Sequence, residues 1–504
     1  MIIINQEEYR DKVLACWLGK NIGGTLGAPF EWKRGIFDVD FYTQEHKGEP
    51  LPNDDLDIQL LWLIALEAHG PGLDTRTLAE YWNVGVTPHW AEYGLAKSNL
   101  RAGLQPPVSG TLNNPYRHSC GAYIRSEIWA CIAPAMPDVA AWYAYQDAII
   151  DHGNGEGTYG EVFIAALESA AFVVSDLREL IRIGLSYIPE ECAVTQAVRL
   201  VERCYDQGTS WRDTRDEILR HFRGDVQPWN RPASSDDIAK GFNDGPLGFD
   251  VPSNVAITIL GLLYGGEDFG KVLCTAVNCG EDTDCTAATA GSIYGIIRGC
   301  ASIPAKWIEP IGRSIKTICL NTGDYNPQLA KSVDELTDRT VAVGQAVLAQ
   351  SPHRNRVQLS SQPSQKEIDP AKLASSNPLS ILSEGANGPI FSFDFFSVAV
   401  DYGTAPYVRD GESAELRIRI SNNKPRFHAN VLAKLYLPPG WKASHGAACI
   451  WPNYCETVVF KVQVGEVREV TERGVLELTI PGHPTVMLVP LIWVNGNSTP
   501  GPGA

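Results

Sequence analysis

The stretch LPNDDLDIQLLWLIAL, residues 51–66, sets two adjacent carboxylates, Asp54 and Asp55, behind Asn53 and directly ahead of an apolar, helix-like run. Asn and Asp at a helix start act as N-caps and suit the positive end of the helix dipole. The stretch therefore predicts a buried helix with an acidic head. A second head of this kind lies far downstream. In NCGEDTDCTAATAGSIYGIIRG, residues 278–299, Asp282 and Asp284 flank Thr283, and Ala288, Gly291 and Gly295 are small enough to let a neighbouring backbone come close. Each head alone reads as an ordinary cap. If the two helices pack side by side, four carboxylates converge, and like charges at close range repel and raise each other's pKa. A divalent cation relieves this. Hard oxygen ligands of this kind suit Mg²⁺, or Mn²⁺, and four carboxylates can carry two ions about 3.5–4 Å apart.

Composition sets the surroundings. A chain of 504 residues has room for two or three domains, and 44% hydrophobic with 20% charged residues describes an ordinary globular protein. The formal charge of −17 argues against nucleic acid and anionic membrane partners, whose affinity rests on Lys and Arg. The opening MIIINQEEYRDK has too short an apolar run for a signal peptide, and no apolar stretch reaches the roughly 18 residues of a membrane span. Twelve cysteines without a C-x-x-C pair read as reduced, mostly buried thiols. The expected location is cytoplasmic.

The patterning divides the chain. Helical spacing recurs in YRDKVLACWLGKNIGG, AWYAYQDAII, EVFIAALESAAFVV and VTQAVRLVERCYD, which predicts an all-α domain over residues 1–350. The segment QPPVSGTLNNPYRHSCG, 105–121, interrupts it as a long loop of the sort that more often serves function. Residues 351–387, rich in Ser, Pro and Gln, read as a linker. From 388 to 496, short β-rich runs such as SAELRIRISN and TVMLVPLIWV predict an all-β sandwich. Such an appendage can bind carbohydrate, mediate homo-oligomers or cover a cleft. Trp441 and Trp451 could stack on sugar, although burial in the sandwich core is the expected fate of both.

Taken in order, LGKNIGGTLGAPFEW, NDDLDIQ and CGEDTDCTAATAGSIYG resemble the motifs of the ADP-ribosylglycohydrolase family over roughly residues 8–350. The resemblance implies an orthogonal all-helical fold, two Mg²⁺ ions and hydrolysis of a ribofuranosyl glycosidic bond, most simply that of ADP-ribose on a protein or small molecule. The family's Thr-Asp-Asp-Thr falls on Asn53, Asp54, Asp55 and Leu56. Its Gly-Gly-Asp-Thr-Asp-Thr falls on Gly280, Glu281, Asp282, Thr283, Asp284 and Cys285. The implied metal ligands are Asn53, Asp54, Asp55, Asp282 and Asp284, with Asp55 also orienting the water. Cys285 departs from the pattern, because thiol sulfur is a soft ligand for Mg²⁺. Gly24 stands where the family has Asp, and Glu31 keeps the place of an acid or gate over the scissile bond. HSCGAYIRSEIW and DAIIDHGNGEGTYGE resemble substrate loops, implying Gly121, Arg125, His152 and Tyr159 as substrate contacts. An Arg125–Glu127 ion pair and a structural His152 are the plainer alternatives. Three other readings stay open or fall: hydrolysis of a free nucleoside or other ribofuranoside, ADP-ribose binding without catalysis, and an isoprenoid synthase, against which Ile58 stands where Asp-Asp-x-x-Asp needs an acid.

Overall fold

The computed structural model describes residues 1–31, 33–223, 248–350, 355–365, 368–376, 388–424, 426–427, 429–444, 447–452, 454–484 and 486–497. It divides into two compact units, Met1–Leu95 with Asn113–Leu382, and Ala96–Leu112 with Ser383–Ala504. The first is helical and the second is built on β-sheets.

The site is positioned by one antiparallel helix pair, Gln6–Gly27 against Thr283–Arg298. Asn5 starts the first helix, its side-chain oxygen accepting from the Glu7 and Glu8 amides. Glycines then recur every four residues along one face, at Gly19, Gly23 and Gly27. A Cβ at these positions would lie 2.1, 2.2 and 2.3 Å from the carbonyl oxygens of Gly291, Ala287 and Thr283. Gly291 and Gly295 return the contact against the Gly19 and Ala15 carbonyls. The two backbones therefore touch along their length, and the end of the first helix is delivered to the head of the second. Glu31 follows four residues after Gly27, which brings it to Asp282 and Asp284. The obstacles to a Cβ are backbone atoms that cannot rotate aside. Gly23→Ala should accordingly lower stability by about 1–3 kcal/mol, the usual cost of overpacking. Gly72→Ala, where nothing lies within 4 Å, should be neutral. Urea midpoints of the two variants compare them directly.

The Asp54–His69 helix begins as its acidic head predicts. Asn53 is extended (φ −148°, ψ 127°) and its Oδ1 accepts the Asp55 amide at 2.6 Å. Every residue from Asp55 to Leu66 is buried, so this is a core helix with no solvent face. It stops at Gly70, whose φ of 70° suits glycine and whose amide caps Leu66. No described helix is long and apolar enough to cross a membrane. The apolar opening of the chain forms a strand instead: Ile2–Asn5 pairs in parallel with Val357–Ser360, inside the stretch that reads as linker.

In the second unit two five-stranded sheets face each other. One runs Ile390–Ser392, Phe396–Asp401, Ser413–Asn422, Cys455–Gln463, Lys442–Ala443, and the other Tyr407–Val408, Val486–Asn495, Thr471–Thr479, Val431–Tyr436, Ala447–Ile450. Alternate residues of both, among them Val398, Ile418, Phe460, Ala433, Leu478 and Val489, share one core, as a sandwich requires. Trp441 joins that core, whereas Trp451 is 52% exposed, contrary to the expectation of burial. Residues 96–112 group with this unit rather than with the helices beside them in sequence, because Leu104, Val108 and Leu112 find an apolar partner in Ile492. The 105–121 segment is thereby divided: Val108–Thr111 forms a helical turn here, and 113–121 belongs to the first unit.

Candidate functional site

The two acidic helix heads meet. Ligand oxygens of Glu31, Asp282 and Asp284 lie within 4.8 Å of one another, and so do those of Asp55 and Asp284 with the Cys285 sulfur. Asp284 belongs to both groups. Asp55, Asp282, Asp284 and Cys285 are 0, 4, 3 and 6% exposed. Both carboxylate oxygens of Asp55, and Oδ1 of Asp282 and of Asp284, accept no hydrogen bond. Buried charge left in this condition is costly.

The one described cation at Asp55 does not balance it. Lys20 Nζ lies 3.8 Å from Asp55 Oδ1 but only 2.7 Å from Glu127 Oε1, and it also donates to Thr289 Oγ1 at 3.3 Å. Burial alone would lower the Lys20 pKa, yet Glu127 and Asp55 outweigh it and raise it. Lys20 is thus held as a cation and largely neutralised by Glu127, whose other oxygen accepts from Gln59 Nε2 at 2.8 Å. Among the described residues, Asp54, Asp55, Asp282 and Asp284 remain in negative excess. Such a donor set, with orphaned oxygens turned on one another, fits divalent metal.

The titration of these groups follows. Burial, then Asp55, pushes Asp54 up to about 7, and burial, opposed by Lys20, pushes Asp55 up to about 6. Asp282 rises well above its usual range through burial and then Asp284, and Asp284 through burial and then Glu31, Asp55 and Asp54. A carboxyl whose folded pKa is raised holds its proton longer in the folded than in the unfolded chain. Its contribution to stability is full below the unfolded value near 3.8 and is lost as pH rises through about 6 to about 7. Metal requires the ionised form and removes this penalty. The rise in melting temperature on exchanging EDTA for Mn²⁺ should therefore grow between about pH 5 and about pH 8.

Local backbone fixes the second head. Gly280 and Glu281 are both left-handed (φ 73° and 69°), a strained state for glutamate. Glu281 is held there by a buried ion pair to Arg34 (3.1 Å) and a partly buried one to Arg223. It stands where the motif that this stretch resembles has its second glycine, and its left-handed backbone is one that glycine adopts freely. The Asp282 amide then donates to Asn254 Oδ1 at 3.1 Å, which orients the carboxylate.

Two departures from the family motif prove to be neighbours. A Cβ on Gly24 would lie 1.9 Å from Asn53 Nδ2, so the absence of a side chain at 24 makes room for Asn53. Asn53 in turn gives its oxygen to the helix cap rather than to the carboxylate cluster. Asp57, one turn on, accepts from the Ile318 and Cys319 amides at 2.7 Å each and anchors that loop.

The implied substrate residues are placed differently. Arg125 is fully buried, bonded to Asp147 at 3.0 Å, to Asp151 at 2.7 Å and to the Gly121 carbonyl, and stacked 4.9 Å from the Trp82 ring centroid. Neither an open anion site nor the Arg125–Glu127 pair results, since Glu127 belongs to Lys20. Gly121 is required for packing: a Cβ there would lie 2.1 Å from Glu92 Oε1. His152 is buried, with Nδ1 2.8 Å from Asp151 Oδ1 and Nε2 3.3 Å from Ser119 Oγ. Against the upward push of burial, Arg125 and His152 hold Asp151 at about 2. Tyr159 is half-buried beside Glu156 and Cys192. The structure thus gathers Glu31, Asp55, Asp282 and Asp284, and gives Gly121, Arg125 and His152 internal partners. Lys20 and Cys285 join the cluster without having been singled out as ligands by sequence; a lysine inside the apolar run ACWLGKNIGG was the available signal for the first.

Residues 5–345, about two thirds of the chain, match the family model described as ADP-ribosylglycohydrolase. No curated protein matches the chain. The match spans both acidic heads, Glu31 and the glycine-lined helix that joins them, and the chain belongs to the ADP-ribosylglycohydrolase family, a family of glycoside-hydrolysing enzymes.

Proposed function

We propose that the protein is a metal-dependent hydrolase that cleaves the ribofuranosyl bond of ADP-ribose linked to a protein or small molecule. The observation that carries this reading is the pair of ligand groups, Glu31/Asp282/Asp284 and Asp55/Asp284/Cys285, sharing Asp284 within a family of glycohydrolases. Asp54 stands at the same helix head as Asp55 and adds to the negative field. The metal, when bound, would hold the ribose diol and make water acidic enough to attack at neutral pH.

The chain's own residues supply the rest. Asp55 carries two oxygens without hydrogen bonds at the head of its helix, which suits a group that holds the metal and orients the attacking water. Departure of the leaving group builds positive charge at the anomeric carbon, and the carboxylate excess favours that charge. Glu31 follows the first helix and is less enclosed than its neighbours, so it can exchange between the Asp282/Asp284 group and the leaving group, where it would act as acid or gate.

The test is a panel of ADP-ribosylated peptides and free ribonucleosides, with release of ADP-ribose or of base followed in Mn²⁺ and in EDTA. Metal-dependent release of ADP-ribose supports the proposal. Release from the nucleosides alone would move the activity to simpler ribofuranosides. Binding of ADP-ribose without release would overturn catalysis and leave a binding protein.

A further inference from the structure

We propose that Cys285 is a thiolate metal ligand, so that the subsite it forms with Asp55 and Asp284 takes a borderline dication such as Zn²⁺, Co²⁺ or Fe²⁺ in preference to Mg²⁺. The inference rests on the metal site proposed above and specifies its chemistry. The Cys285 sulfur and one oxygen each of Asp55 and Asp284 lie within 4.8 Å of one another and are buried. A tetrahedral ion with sulfur at about 2.3 Å and oxygen at about 2.0 Å spaces its ligands by about 3.5 Å, so a small inward shift closes the site.

An independent observation points to an ion there. Both Asp55 oxygens and Asp284 Oδ1 are buried without a hydrogen bond. These side chains are turned toward the place where a cation would sit, and Lys20, at 3.8 Å and engaged with Glu127, does not fill it.

Ligand chemistry decides which ion. Magnesium keeps to oxygen donors and near-octahedral geometry, whereas zinc and cobalt accept mixed sulfur and oxygen sets. The companion group, Glu31, Asp282 and Asp284, is all oxygen and suits Mg²⁺ or Mn²⁺. The two subsites are therefore unlike, with Asp284 common to both. On binding, the Cys285 S–H bond breaks, its electron pair becomes the metal–sulfur bond and the proton leaves to water. No oxidant or reductant is involved.

The experiment is a Co²⁺ titration of the metal-stripped full chain, with bound metal measured by equilibrium dialysis and the near-ultraviolet spectrum recorded at each point. Thiolate ligation gives an intense sulfur-to-cobalt charge-transfer band that oxygen ligands do not give. The wild type should show the band, Zn²⁺ should abolish it at stoichiometric amounts, and Mg²⁺ in large excess should not. Cys285→Thr should lose the band and bind Zn²⁺ at least about tenfold more weakly, while keeping its Mg²⁺-induced rise in melting temperature. Cys120→Ser, which removes a second buried thiol close to Asp282, should keep the band. Cobalt bound by the wild type without the band would overturn the thiolate ligand while leaving the carboxylate site standing. A band that survives in Cys285→Thr would overturn it equally. Failure to bind any dication would overturn the proposed function and this inference together.

Discussion

Asp284→Ala should reduce metal-stimulated release of ADP-ribose by about a thousandfold or more, and should leave the EDTA-treated protein at least as stable as wild type. The first half follows from position. Asp284 is the residue common to both ligand groups, so its loss opens both subsites. Metal stabilisation of transition-state charge is worth several kcal/mol, and about 4 kcal/mol is a thousandfold in rate. The second half follows from electrostatics. Asp284 is buried with an oxygen that accepts no hydrogen bond, and it faces Glu31, Asp55 and Asp54. Removing a repelled, poorly satisfied carboxyl costs the apo fold little. A structural Asp284 would behave in the opposite way, with loss of stability in EDTA and activity falling only as folded protein is lost. Initial rates in Mn²⁺, set beside melting temperatures in EDTA, separate the two.

Arg125→Met should destabilise the protein by about 3–5 kcal/mol, the cost of stranding buried partners of an ion pair. Arg125 serves two carboxylates at once. Asp147 keeps its hydrogen bonds from Trp62 Nε1 at 2.7 Å and Trp129 Nε1 at 3.0 Å, but Asp151 would keep only its 2.8 Å contact with His152 Nδ1. The guanidinium fork reaches Asp147 through Nε and Asp151 through Nη2, a reach that a lysine ammonium cannot reproduce, so Arg125→Lys should recover only part of the loss. If Arg125 instead held a substrate anion in the free protein, Arg125→Met would raise KM with no change in the urea midpoint. The midpoint is the deciding quantity.

Local signals made half of the site legible in the sequence. Asn53 and the aspartates behind it announce a helix start, the apolar run announces burial, and Asp282 and Asp284 repeat the arrangement. Their convergence depends on the Gln6–Gly27 helix, whose four-residue glycine spacing stands in plain view as GKNIGGTLG and whose partner is foreshadowed by Gly291 and Gly295. Glu31 became a candidate through family resemblance alone, since one glutamate after APF carries no local signature. Arg125 was legible as important, but its partners were not, because Asp147 and Asp151 sit one helix away and nothing near position 125 names them. Strand Ile2–Asn5 was missed for the same reason: its partner begins at Val357. The grouping of 96–112 with the β-sheet unit rests on Leu104, Val108 and Leu112 meeting Ile492, a pairing of surfaces that no pattern within 96–112 specifies.

The central claim, that the buried carboxylates of the two helix heads hold divalent metal, is tested most directly by melting the protein in EDTA and again in excess Mn²⁺, with Asp284→Ala alongside. At about a hundredfold excess over its dissociation constant, a ligand that binds only the folded state adds about 2.7 kcal/mol. The wild type should melt at a higher temperature in metal, and the variant should melt alike in both. Equal melting of the wild type with and without metal would contradict the claim and return Asn53, Asp54 and Asp55 to the role of a helix cap.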